Sequence, residues 1–231
     1  MKTIGMIGGM SWESSAEYYR IINEEVKKRL GDLHSAKCVM TSVDFAEIEI
    51  LQREGRWAEA GRAMAAEARA LELAGADFII LCTNTMHIST KEIQAAVSIP
   101  FLHIADPTAE AVKAADIQTV GLLGTRFTME QDFYKGRLQA IHGLRVLVPE
   151  AEDREIVHRV IYEELVLGIV NPSSRLEYAR IMQALVDERA QGIILGCTEI
   201  GLLVKAEDSR VPLFDTTLIH ALAAVDLALR D

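Results

Sequence analysis

The chain has 231 residues, 50% of them hydrophobic, and a formal net charge of −10. That length allows one large or two small domains with a substantial core. The acidic balance argues against nucleic acid and anionic membranes as partners, and no apolar run approaches the roughly 20 residues that a membrane-spanning helix needs.

Thr3-Ile4-Gly5-Met6-Ile7 reads as a short buried strand entered directly from the N-terminus, with no signal-peptide layout, so a soluble, cytoplasmic protein is expected. Gly8-Gly9-Met10-Ser11 is a tight turn, with Ser11 placed to cap a helix over residues 12–30. Such a turn can cradle an anion. It lacks a third glycine and a Walker lysine, however, and is read as an ordinary strand-to-helix turn. A second strand is expected over 37–44, followed by the segment 45–53. An alanine-rich helix over 57–73 is ended by Gly75. Phe78-Ile79-Ile80-Leu81 is an apolar strand tipped by Cys82-Thr83-Asn84-Thr85, with a helix over 86–97 and a short strand at Pro100-Phe101-Leu102-His103-Ile104 behind it. Strands alternating with helices in this rhythm indicate a parallel α/β sheet.

The pattern then restarts. Thr119-Val120-Gly121-Leu122-Leu123-Gly124 repeats the segment that begins at Thr3, 116 positions on. Ile193-Ile194-Leu195 repeats Ile79-Ile80-Leu81 at 114, and Val211-Pro212-Leu213-Phe214 repeats Ile99-Pro100-Phe101-Leu102 at 112. Three matches in one order at nearly constant offset indicate an internal duplication. The expected fold is α/β with two pseudo-symmetric lobes, each a parallel sheet flanked by helices, and the active site in the inter-lobe cleft. Residues 1–104 with 208–231 would form the first lobe, whose returning C-terminal helix covers 218–229. Residues 105–207 would form the second, with Asn171-Pro172-Ser173 opening the helix before its tip.

Cys38, Cys82 and Cys197 are the only cysteines. An odd count without paired spacing indicates free thiols in a reducing compartment, and no Cys/His cluster has zinc-ligand spacing. The second tip, Gly196-Cys197-Thr198-Glu199, puts a thiol at the end of a buried strand. Ligands of α/β sheets bind beyond the carboxyl ends of strands. The 114-residue offset sets Cys197 against Thr83, not against Cys82. Cys82 falls opposite Gly196, Asn84 opposite Thr198, and Thr85 opposite Glu199. A shift of one residue points Cys82 to the other face, into packing; the alternative is that Cys82 reaches the cleft and the site holds two thiols.

These residues carry a resemblance. Ile4-Gly5-Met6-Ile7-Gly8-Gly9-Met10-Ser11, Asn84-Thr85-Met86-His87 and Gly196-Cys197-Thr198-Glu199 make the chain similar, over essentially its whole length, to the cofactor-independent aspartate/glutamate racemase family. The particular likeness is to its enterobacterial amino-acid racemases of L-aspartate/glutamate or broad specificity. In that family a cysteine usually stands directly before Asn-Thr-x-His, where this chain has Thr83. The resemblance implies an isomerase that needs neither pyridoxal phosphate nor a metal, acts on a small amino acid, and forms a homodimer. Cys197 would remove the Cα proton of the L-amino acid, with Thr83, or a water it holds, as donor on the opposite face. Backbone N–H groups at helix N-termini can stabilise the charge growing on the α-carboxylate and lower a neighbouring thiol pKa. Asn84, Thr85 and Thr198 are the candidate donors; Glu199 either binds the amino group or hydrogen-bonds the turn, Met10 either lines the cleft or fills a gap in the core, and Gln52 is the candidate for the distal substrate group.

Acidic-substrate members hold the distal carboxylate with basic residues. Here the stretch after the second strand has no arginine in its first part, and Glu163-Glu164 stand where a lysine is expected. Neutral or longer polar amino acids are therefore open as substrates. Arg126 is either an anion clamp or a solvated charge. His87 either orients a group at the first tip or is a satisfied buried histidine. Glu163-Glu164 read as a helix face in water, and Glu13 as a complement to a helix dipole. Two alternatives stay open: a single-thiol decarboxylase of the same superfamily, and a non-catalytic amino-acid binding protein.

Overall fold

The computed structural model describes residues 1–230, which fall into two compact units: residues 1–104 with the segment from His220 onward, and Ala105–Ile219. The elements in chain order are β1 (Ile4–Gly8), α1 (Trp12–Leu30), β2 (Cys38–Ser42), α2 (Phe45–Arg53), α3 (Trp57–Leu73), β3 (Phe78–Leu81), α4 (Thr90–Ala96) and α5 (Ala105–Ala114). Then follow β4 (Thr119–Gly124), α6 (Arg126–Glu130), α7 (Lys135–Ala140), β5 (Arg145–Leu147), α8 (Ala151–Glu163), α9 (Pro172–Asp187), β6 (Gly192–Gly196), α10 (Ile200–Leu203), β7 (Leu213–Asp215) and α11 (Thr216–Leu229). Among the described residues, no helix is long and apolar enough to cross a membrane.

The first unit holds a parallel sheet in the order β2-β1-β3. Strand side chains alternate between faces, and the two faces feed two cores. Ile4, Met6, Phe78, Ile80 and Cys82 pack with Tyr18, Ile22 and Val26 of α1 and with Ala221, Ala224, Val225 and Ala228 of α11. Ile7, Ile79 and Leu81 pack on the other face with Ala60, Met64, Ala68 and Leu71 of α3. The helical residues recur at three- and four-residue intervals, which puts one apolar stripe of each helix on the sheet. α11 accordingly returns to the first unit, as its apolar sequence implies.

The second unit repeats the plan in the order β5-β4-β6-β7. Leu123, Ile193 and Leu195 pack against Val157, Val160 and Ile161 of α8 and Ile181, Met182 and Leu185 of α9. Its register matches that of the first sheet: Gly5 pairs with Ile79, and Gly121 with Ile193. The 116- and 114-residue offsets are therefore kept strand by strand.

Three boundaries differ from expectation. The first-lobe helix over 86–97 is a 3₁₀ turn, Thr85–Ser89, followed by α4. The strand at 100–104 reduces to a single bridge between Phe101 and Ile79, because Pro100 has no N–H to extend the ladder and α5 starts at Ala105. Residues 208–219 lie in the second unit, not the first, because they contain β7, which is hydrogen bonded to β6. The expected caps form. Ser11 accepts from Ser14 N, and Asn171 accepts from Ser173 N with Pro172 in the first turn of α9.

Candidate active site

The first tip is built by the β1 turn and the end of β3. Gly9 has φ +93°, and a Cβ there would lie 2.3 Å from the Val43 carbonyl oxygen. Only glycine fits both the left-handed backbone and the space. Its N–H donates to Ser15 Oγ at 2.8 Å, while Ser14 Oγ donates to the Cys82 carbonyl at 3.2 Å. The start of α1 thus fixes the backbone from which Thr83 emerges. Gly9→Ala is expected to lower stability by about 1–3 kcal/mol, read as a shift in the denaturation midpoint.

Cys82 is 0% exposed and sits on the Ile80 face of β3, within the α1/α11 core. Burial pushes its thiol pKa up strongly. It is a packing residue, as the register argument requires. Cys82→Ser should bury a hydroxyl in an apolar site and cost about 1–3 kcal/mol of unfolding free energy. Unchanged stability in a denaturant titration would contradict this.

Thr83 is 8% exposed, and Asn84 and Thr85 are buried beside it. The Thr83 carbonyl is 2.7 Å from His87 Nδ1, and the Ile104 amide donates to His87 Nε2 at 3.2 Å. An amide N–H can only donate and a carbonyl can only accept. His87 is therefore the neutral tautomer with its proton on Nδ1, clamping the tip to the start of the next segment. Burial, then the neighbouring His103 and His220, hold its pKa well below 6.5. The folded ring thus stays neutral at pH values where the unfolded one is charged. Stability is expected to fall as pH drops below about 6.5, by at most about 1.4 kcal/mol per pH unit from this group. Denaturant titrations across that range check it. Tyr18 OH donates to His220 Nδ1 at 2.9 Å, and His220 Nε2 donates to the Leu102 carbonyl at 3.0 Å, bracing the same segment. Nothing in the local pattern around Tyr18 or His220 signals this role, since the contact joins residues 202 positions apart.

The second tip lies at the end of β6. Gly124 pairs with Gly196, and a Cβ on Gly124 would come within 2.7 Å of the Gly196 carbonyl oxygen. The close approach of the two strands sets the backbone immediately before the thiol. Cys197 is 9% exposed and continues the Ile193–Leu195 face toward α9. Its Sγ donates to Glu199 Oε2 at 3.0 Å, and Thr198 Oγ1 donates to the same oxygen at 2.7 Å. Burial first, and then the Glu199 charge, push the Cys197 thiol well above its ordinary range. Burial first, and then the Cys197 and Glu164 charges, push the Tyr178 phenol well above its ordinary range, and its hydroxyl donates to the Val157 carbonyl at 2.9 Å.

The other candidate residues are less tip-like. Met10 is 3% exposed and packs with Ile7, Ile48 and Met64, and Gln52 is buried on α2. The Arg126 side chain is half exposed, 4.0 Å from Glu155, so a solvated charge describes it better than a clamp. Glu164 is not a freely solvated face residue: both its carboxylate oxygens take the Ser174 hydroxyl, at 2.9 and 2.7 Å. Among the described residues, no group of three or more His, Cys, Asp or Glu is arranged to hold a metal ion.

Comparison with known proteins decides the family. The model of the Asp/Glu/hydantoin racemase family matches residues 7–224. The chain belongs to that family. Within it, the chain is 55% identical to a Yersinia pestis protein proposed to be an Asp/Glu racemase, whose crystal structure aligns over 100% of both chains with a TM-score of 0.93. An aspartate racemase homologue from Pyrococcus horikoshii OT3 aligns over 100% of both chains at 34% identity and a TM-score of 0.84. The broad specificity amino-acid racemase RacX of Bacillus subtilis (strain 168) is 28% identical over 162 residues, which span 67% of this chain and 66% of that protein. The two-lobe α/β fold of the family is the one described above.

Proposed function

We propose that the protein is a cofactor-independent amino-acid racemase that interconverts L- and D-amino acids through a carbanion at Cα. Cys197 serves as the base toward the L-enantiomer, and Thr83, or a water it holds, supplies the proton on the opposite face. The observation that carries this reading is the repeated register. Counted from the matched pairs Gly5–Ile79 and Gly121–Ile193, Thr83 and Cys197 stand at the same position, each four residues beyond the paired isoleucine. The names of its relatives support an amino acid as substrate, and RacX is described as broad in specificity.

The chemistry has two demands. The Cα–H bond is a weak acid, so the developing carboxylate charge must be stabilised. Backbone and side-chain donors of Asn84, Thr85 and Thr198 are proposed for that role. The two proton-transfer groups must also differ from a single shuttle, or the proton returns to the face it left. Because enantiomers have equal free energy, kcat/KM must be the same in both directions. A preference for L substrates can then appear only in kcat or KM separately. We also infer a cytoplasmic homodimer, which fits free thiols at Cys38, Cys82 and Cys197.

One observation favours a second reading, a decarboxylase in which a lone thiol protonates an enolate. With Cys82 in the core, only one tip presents a thiol in register. A panel of L- and D-amino acids incubated in deuterated water with no added cofactor separates the two. Racemisation places deuterium at Cα without loss of CO₂. Release of CO₂, or no incorporation from any amino acid, would contradict the racemase.

A further inference from the structure

Deepening the racemase reading, and resting on it, we propose that Glu199 is the internal acceptor of the Cys197 proton: its carboxylate takes the thiol hydrogen and so makes the thiolate that removes the Cα proton. A base must be free of its proton before it can act, and this thiol starts with one. The Sγ–H points at Glu199 Oε2 across 3.0 Å, and Thr198 Oγ1 donates to the same oxygen at 2.7 Å. The pair is buried, with Glu199 3% exposed. Burial and the adjacent carboxylate both hold the thiol protonated against solvent. Bulk hydroxide is scarce at neutral pH, whereas the carboxylate is already in contact.

The surrounding groups are suited to leave this transfer alone. Tyr178, facing from α9, commits its hydroxyl proton to the Val157 carbonyl. Glu164, at the end of α8, holds the Ser174 hydroxyl. The transfer moves one proton and no net charge: S–H breaks, O–H forms on Oε2, and the pair keeps its single negative charge. The thiolate then takes the Cα proton and S–H is restored. The carbanion gains a proton on its other face from Thr83 or its water. Glu199 returns its proton to solvent as Thr83 is refilled, so the protein ends as it began.

A shared proton has a signature that mere proximity lacks. When two groups hold one proton between them, the thiolate fraction depends on how they divide it, not on pH. Alkylation of Cys197 by iodoacetamide, followed by peptide mass so that Cys38 is scored separately, is therefore expected to be nearly level between about pH 6 and pH 8. In Glu199→Gln the rate should instead climb about tenfold per pH unit, because each thiolate must then lose its proton to solvent. Glu199→Asp should recover part of the level region. A wild-type rate that climbs about tenfold per pH unit overturns the proposal, and it does so whether or not Glu199→Gln folds. Alkylation does not depend on turnover, so failure of the racemase reading would show separately, as absent Cα exchange beside an intact alkylation profile.

Discussion

Cys197→Ser is expected to slow Cα proton exchange from L-amino acids by about 10³-fold, the range over which a positioned acid–base group acts. Serine keeps the size of the side chain and can still donate to Glu199 Oε2, which now receives Cys197 Sγ at 3.0 Å. The β6 turn and the Ile193–Leu195 face should therefore be undisturbed, and unfolding free energy should change by less than about 1 kcal/mol. What is lost is the acidity of the side chain. A hydroxyl does not ionise in the range where a thiol, whose reference pKa is about 8.5, still can. Exchange measured by proton NMR in deuterated water gives the rate, and binding of the unreacted amino acid can be measured in the same samples. A variant that binds but still exchanges at the wild-type rate would remove Cys197 from the chemistry.

The second large effect is a gain. Thr83→Cys places a thiol at the position that the repeat matches to Cys197. It should raise kcat with D-amino acids by at least about tenfold, since a thiol replaces an aliphatic hydroxyl as the base on that face. Because kcat/KM must stay equal in the two directions, an accompanying change in the L direction is required and serves as an internal control. The His87 clamp on the Thr83 carbonyl involves backbone, so it survives the substitution. Thr83→Ala should lower D-side turnover instead. If Thr83→Cys brings no gain and Cys82→Ser alone abolishes activity, the register assigned here is wrong.

The architecture was legible because burial leaves periodic marks. Apolar strand runs, an alanine-rich helix and a twofold recurrence at near-constant offset are properties of short windows, and the two sheets reproduce them down to the Gly5–Ile79 and Gly121–Ile193 pairs. The assignment of Cys82 to the core followed from the same two-residue alternation. What failed locally were ends of elements. Phe101 carries strand-like neighbours but has only one bridge, and β7 stays with β6, beyond the boundary expected at residue 207. In both cases pairing with a distant strand decided, and no nearby residue encodes it. The site was legible as motifs and less so as contacts. Glu199 beside Cys197 could be seen in the sequence, but not that its carboxylate takes the thiol hydrogen. His103, His220 and Tyr18 gave no sign of gathering behind His87, because three separated segments supply them. Glu164 reads as surface in the sequence, whereas its carboxylate accepts the Ser174 hydroxyl.

The most direct test follows the label by enantiomer during the first few per cent of conversion. An L-amino acid is incubated in deuterated water, and the residual L and newly formed D pools are separated and weighed by mass. Two distinct proton-transfer groups predict that the D product carries deuterium at Cα while the recovered L substrate remains protiated. Equal labelling of both pools would mean one group shuttling across a planar intermediate, and would contradict the division of labour between Cys197 and Thr83.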